Sequence, residues 1–134
     1  MTCSEQTREL AIAAAQAASD KLATNPVMVD VSNRLALAEA FLIVSAPTSR
    51  QVRAIGEEIM DQLARDHKLR PQRIEGRTEA AWMLIDYLDL VVHIFDEEQR
   101  DYYALEKLWG DGVVESLTDA VIPAVHPVTG EALR

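Results

Sequence analysis

The chain has 134 residues, 49% of them hydrophobic, with a single cysteine and a formal net charge of -9. That suits one domain with a real core, and it excludes wholesale disorder, an internal disulfide framework and a cysteine-built zinc site. Ten acids fall between Asp86 and Asp119 against only Arg100 and Lys107, so this segment cannot supply the cations that dominant phosphate binding requires. An acidic face steers instead toward a basic partner, the plain alternative being a solvated face that aids solubility. No apolar run approaches the roughly 20 residues of a membrane helix, and the N-terminus lacks the basic head and apolar core of a secretory signal. The cytosol is the expected compartment.

In chain order, Ser4 to Leu22 reads as a helix with a thin stripe of Leu10, Ala14, Ala17, Ala18 and Leu22, stopped by Asn25-Pro26. Alanine buries little area, so this helix is expected to lie flat against a neighbour. Val27 to Val31 is a short β-branched strand, and Ser32, Asn33 and Arg34 make a turn. Ala40 to Ser45 is almost wholly apolar, which predicts a strand covered on both faces. After Pro47, Thr48 and Gln51 resemble a capping box, and Val52, Ile55, Ile59 and Leu63 mark the buried stripe of a second helix. Gln72 to Glu75 reads as an edge strand ending at Gly76. Ala81 to Tyr87 and Leu90 to Phe95 form an antiparallel hairpin with its turn at Leu88-Asp89. Asp96 is placed to cap a third helix that runs to Trp109, and Asp111-Gly112 ends it. Pro123 and Pro127 mark a frayed tail. The expected class is α/β, a mixed five-stranded sheet flanked by helices.

Catalytic constellations are thin. Ser45 to Ser49 joins a strand to a helix N-terminus, but it lacks the glycines and lysine of a phosphate loop. Asp86 and Asp89 straddle a turn, where short polar residues serve the backbone, and no further acid is placed to complete a metal pair. None of the three histidines lies in a nucleophile motif; His93, between Val92 and Ile94, reads either as a buried structural histidine or as an exposed contact. The aromatics carry more. Trp82, Tyr87, Phe95, Tyr102, Tyr103 and Trp109 are six of the chain's seven, packed into 28 residues, and Trp and Tyr favour protein interfaces. Core capping is the competing explanation, and on residue physics the two stand level.

Several blocks occur in one order: Asp30-Val-Ser32, Ser49-Arg-Gln-Val52, Glu75-Gly76, Trp82-x-Leu84-x-Asp86-Tyr87, Val92-His-x-Phe95 and Arg100-x-Tyr102-Tyr103-x-Leu105-Glu106-x-Leu108-Trp109. From about residue 5 to 115 this pattern resembles the bacterial ribosomal silencing factor family RsfS, related to Iojap. The resemblance implies one domain over residues 1–115, followed by a partly disordered tail over 116–134. It further implies a nucleotidyltransferase-like fold without catalytic residues, neither enzyme activity nor a cofactor, and a partner on the large ribosomal subunit, its fourteenth protein, which is basic. Covering that protein would block subunit joining and silence translation when nutrients are limited. The alternatives are an adaptor in large-subunit assembly and a metal-dependent nucleotidyltransferase. Three positions depart from the family: Leu88 where Gly is common in the turn, Glu39-Ala40 where Asp-Tyr is frequent, and Ala46-Pro47 where a Gly often follows the second strand.

The expected partner surface comprises Trp82, Asp86, Tyr87, Asp89, His93, Asp96, Glu97, Arg100, Tyr102, Tyr103 and Trp109. Trp82, Tyr87 and Tyr102 or Tyr103 are its apolar anchors, and Asp86, Asp89, Asp96 and Glu97 meet cations. Arg100 and Glu106 alternatively brace the third helix on the hairpin. Neither sequence-specific nucleic acid nor a membrane is expected as a direct partner. Self-association of the aromatic patch as a homodimer in the free state stays open.

Overall fold

A computed structural model describes residues 4–32, 38–103 and 113–121. Helix α1 (Glu5–Asp20) begins at Ser4, whose hydroxyl accepts the Thr7 N–H at 3.1 Å. Its alanines at 11, 14, 15, 17 and 18 are fully buried, while Leu10 lies at the boundary. Small side chains therefore let α1 approach its neighbours closely, as its composition predicted. The helix ends before Asn25-Pro26, which belong instead to strand β1 (Thr24–Asp30), at an irregularity in its pairing.

Strand β2 (Ala40–Ala46) is buried along its whole length. Helix α2 (Ser49–His67) starts at Thr48, whose side chain accepts the Gln51 N–H, and closes on Lys68 in the left-handed region with Leu69 N–H bonded to Leu63 O. Its buried stripe is Val52, Ile55, Ile59 and Leu63, joined by Gly56. Then come β3 (Arg73–Glu75), β4 (Trp82–Asp86), β5 (Leu90–Asp96), α3 (Glu97–Tyr103), β6 (Val113–Ser116) and a single 3₁₀ turn at Thr118–Ala120.

The sheet has six strands among the described residues, in the order β3-β4-β5-β2-β1-β6, so the expected count of five is corrected. The added strand, β6, pairs antiparallel with β1 and is tied to α1 by an ion pair between Arg8 and Glu115. The guanidinium's hydrogen bond holds the Glu115 carboxyl below its ordinary range. Among the described residues only β2 and β5 run parallel, and every other pair is antiparallel. The expected tail from residue 116 begins inside this architecture: Leu117 is fully buried and Val121 nearly so. Residues 122–134 lie outside the described residues.

Period-two alternation divides the sheet into two faces. Leu42, Val44, Met83, Ile85, Val92 and Ile94 meet α1 and α2 in the larger core. Val29, Phe41, Ile43 and Phe95 form a second, smaller cluster on the opposite face, flanked by half-buried Val27, Trp82 and Val91.

The β4–β5 turn carries local strain. Leu88 sits at φ 74° and is 56% exposed, in the region that favours glycine. Asp86 offsets part of this by accepting the Leu88 N–H on Oδ1 at 2.8 Å. Leu88→Gly is therefore expected to stabilise the fold by about 1 kcal/mol; a chemical denaturation midpoint that stays put or falls would contradict it.

Candidate functional site

The face opposite α1 and α2 is built from aligned cross-strand rows. One runs Asp86, Val91, Phe41, Val29 and Val114; the next runs Glu75, Leu84, His93, Ile43, Val27 and Ser116; the third runs Trp82, Phe95, Ser45 and Thr24. At its centre four rings meet. Trp82 stacks on Phe95 with centroids 4.9 Å apart, and His93 meets Phe41 edge-on at 4.7 Å. The indole N–H of Trp82 donates to His93 Nδ1 at 3.0 Å.

Trp82 is half-buried and separates two open hollows. One, of about 280 Å³, is lined by Glu75, Gly76, Trp82 and Leu84. The other, of about 320 Å³, is lined by Gly76, Glu79, Ala81, Trp82 and Gln99. Gly76 makes this arrangement possible: at φ 75°, a Cβ on it would stand 2.0 Å from the Trp82 carbonyl oxygen. The two carboxylates at the hollows, Glu75 and Glu79, are exposed, and Glu75 is already ion-paired with Arg73 at 2.9 Å. An aromatic plate between carboxylates can accept a basic side chain by cation–π and ionic contact together.

The expected partner residues divide sharply. Trp82 and Asp86 share the open face, Asp89 is exposed at the hairpin turn, and Glu97 is exposed where α3 begins. His93 is on the same face but buried, and burial pushes its imidazole down to about 4. Tyr87 is on the other face. It is packed into the helix-side core, its hydroxyl buried without a hydrogen-bond partner and pushed up to about 12 by desolvation. That position removes Tyr87 from the set of exposed anchors.

Two further residues serve the fold. Asp96 caps α3, accepting the Gln99 N–H at 2.8 Å. Arg100 is buried and donates to the backbone oxygen of Asn25 at 2.6 Å and to Ser45 Oγ at 3.2 Å, bracing α3 on β1 and β2. Tyr102 and Tyr103 lie in α3, but their side chains, with Glu106 and Trp109, fall outside the described residues. Sequence reasoning missed Phe41, Glu75 and Glu79. Phe41 was invisible because it comes from β2, 41 residues upstream of Trp82; the alternation of β3 and β4 is the signal that puts Glu75 beside Leu84.

Residues 4–131 match the family model RsfS, described as ribosomal silencing factor during starvation. A Bacillus subtilis protein named ribosomal silencing factor RsfS is 43% identical over 104 residues, spanning 78% of this chain and 87% of that protein. A mouse protein named mitochondrial assembly of ribosomal large subunit protein 1 is 27% identical over 61% of this chain and 37% of its own length. Among solved structures, a Chromobacterium violaceum protein superposes with a TM-score of 0.73 at 28% identity, covering 78% of this chain and 86% of that one.

Proposed function

The chain belongs to the ribosomal silencing factor family, and on that premise we propose that it binds the large ribosomal subunit through the subunit's basic fourteenth protein and blocks subunit joining. The observation that carries this reading is the half-buried Trp82, set between two hollows on the sheet face turned away from α1 and α2 and flanked by Glu75 and Glu79. Central aromatic anchors ringed by polar groups dominate the energetics of protein interfaces, and the acidic rim complements a basic partner. Asp86, Asp89 and Glu97 extend the acidic rim, while Tyr102, Tyr103 and Trp109 extend the aromatic set beyond the described residues. In this reading the chain acts in the cytoplasm, by steric exclusion and without catalysis or a cofactor. Its fold is a nucleotidyltransferase-like sheet put to a binding use. No helix among the described residues is long and apolar enough to cross a membrane.

Trp82→Ala is expected to weaken binding to isolated large subunits by about 2 kcal/mol, roughly 30-fold. Co-sedimentation with large subunits measures this directly; a folded variant that sediments like the wild type would overturn the reading. A second role, in large-subunit assembly, is favoured by the name of the mouse relative. The two separate cleanly: a silencing factor lowers subunit joining when added to mature large and small subunits, whereas an assembly adaptor binds without that effect.

A further inference from the structure

Trp82 is not held by packing alone. An indole N–H can only donate, so in its 3.0 Å contact with His93 the Nδ1 atom must be the acceptor. The neutral imidazole then carries its one proton on Nε2. That nitrogen is buried and has no hydrogen-bond partner. A buried donor without a partner costs stability, and a leucine of similar size would fill the same space without that cost. What leucine could not supply is the acceptor at Nδ1.

The surroundings make the acceptor directional. His93 is wedged between Phe41 and Phe95, with centroids at 4.7 and 6.3 Å, so its ring cannot turn freely. Its cross-strand neighbour Leu84 lines the hollow on one side of Trp82. The imidazole is therefore a fixed bracket beneath a half-buried indole.

We infer that His93 is a positioning residue for docking: its Nδ1 holds the Trp82 indole in one orientation, so that the anchor meets the partner already set. This rests on the reading that the Trp82 face docks on the large subunit. Its size follows from the side-chain freedom that must otherwise be lost on binding, a factor of roughly three to ten in affinity.

The test uses the full chain, isolated large subunits and four variants. In His93→Asn the amide oxygen stands near the Nδ1 position and keeps the acceptor. His93→Gln carries its polar group to the Nε2 position, and His93→Leu carries none. The expected result is a roughly three- to tenfold loss of affinity in His93→Leu and His93→Gln, with recovery in His93→Asn. In a Trp109→Phe background, acrylamide quenching of Trp82 fluorescence should rise in the first two and return in the third. Thermal unfolding reports separately on whether each variant is folded. Wild-type affinity in folded His93→Leu or His93→Gln, or an Asn variant as weak as these, overturns the inference. Trp82→Ala, measured alongside, separates the two levels. If it binds as wild type, the docking surface itself is wrong; if it alone is weak, only the role of His93 falls.

Discussion

Acidification from pH 6.5 to 4 is expected to withdraw about 3 kcal/mol of folding stability through His93 alone. Burial holds the imidazole at about 4 in the folded chain, against 6.5 for the free side chain. Across that window the unfolded chain takes up a proton and the folded chain does not. Stability is therefore complete above pH 6.5, falls as the pH drops, and levels off below 4, where both states are protonated. The proton also has a local effect: imidazolium donates at both nitrogens, so Nδ1 would turn a donor against the Trp82 N–H. Urea unfolding of wild type and His93→Asn at several pH values isolates this contribution, because the carboxylates are common to both. The stability difference between the two proteins should shift by about 3 kcal/mol in favour of the variant between pH 6.5 and 4. A difference that stays constant with pH would show that His93 is not buried neutral.

Gly76→Ala should be of similar size and act at neutral pH. A left-handed backbone costs a side-chain-bearing residue about 1–2 kcal/mol, and the new Cβ would meet the Trp82 carbonyl oxygen at 2.0 Å, a backbone atom that moves only if β4 moves. Together these give a loss of about 3 kcal/mol, read as a clear fall in the thermal midpoint. Gly56 provides the contrast. A Cβ there would meet Met83 Sδ and Cε at 2.6 Å, the far end of a flexible side chain that can swing aside. Gly56→Ala should therefore be the milder of the two. Equal destabilisation by both would mean that the Gly76 turn yields more easily than its geometry indicates.

Much of this fold is legible in the chain because local signals agree with the packing. The stripe of α2 and the caps at Thr48 and Asp96 follow from spacing and hydrogen-bonding chemistry alone. So does the unbroken apolarity of β2, which predicted cover on both faces. Strand β6 was not legible. Val113 to Ser116 is short, comes directly after Asp111-Gly112 in the sequence and includes Glu115; what makes it a strand is the free edge of β1 and the Arg8 partner, both remote in sequence. Tyr87 failed for another reason. Clustering of aromatics says nothing about faces, whereas alternation from Trp82 puts Tyr87 with Met83 and Ile85, away from the open surface. The tautomer of His93 depends on a hydrogen bond across the hairpin, and no composition or spacing rule reveals it.

The parallel pairing of β2 with β5 also sets a timetable during synthesis. Ala40 pairs with Leu90, fifty residues later in the chain. At about 5–20 residues per second, β2 leaves the ribosome some 3 to 10 seconds before the strand that covers its inner edge. Meanwhile β1 can close on its other edge as a local hairpin, and α1 is already available to cover one face. The unbroken apolar run from Ala40 to Val44 still waits with a row of open backbone groups, the form in which strands recruit wrong partners. For a nascent chain of this protein, the hazardous interval is the passage of α2 and β4, and it ends only when the last residues of β5 emerge.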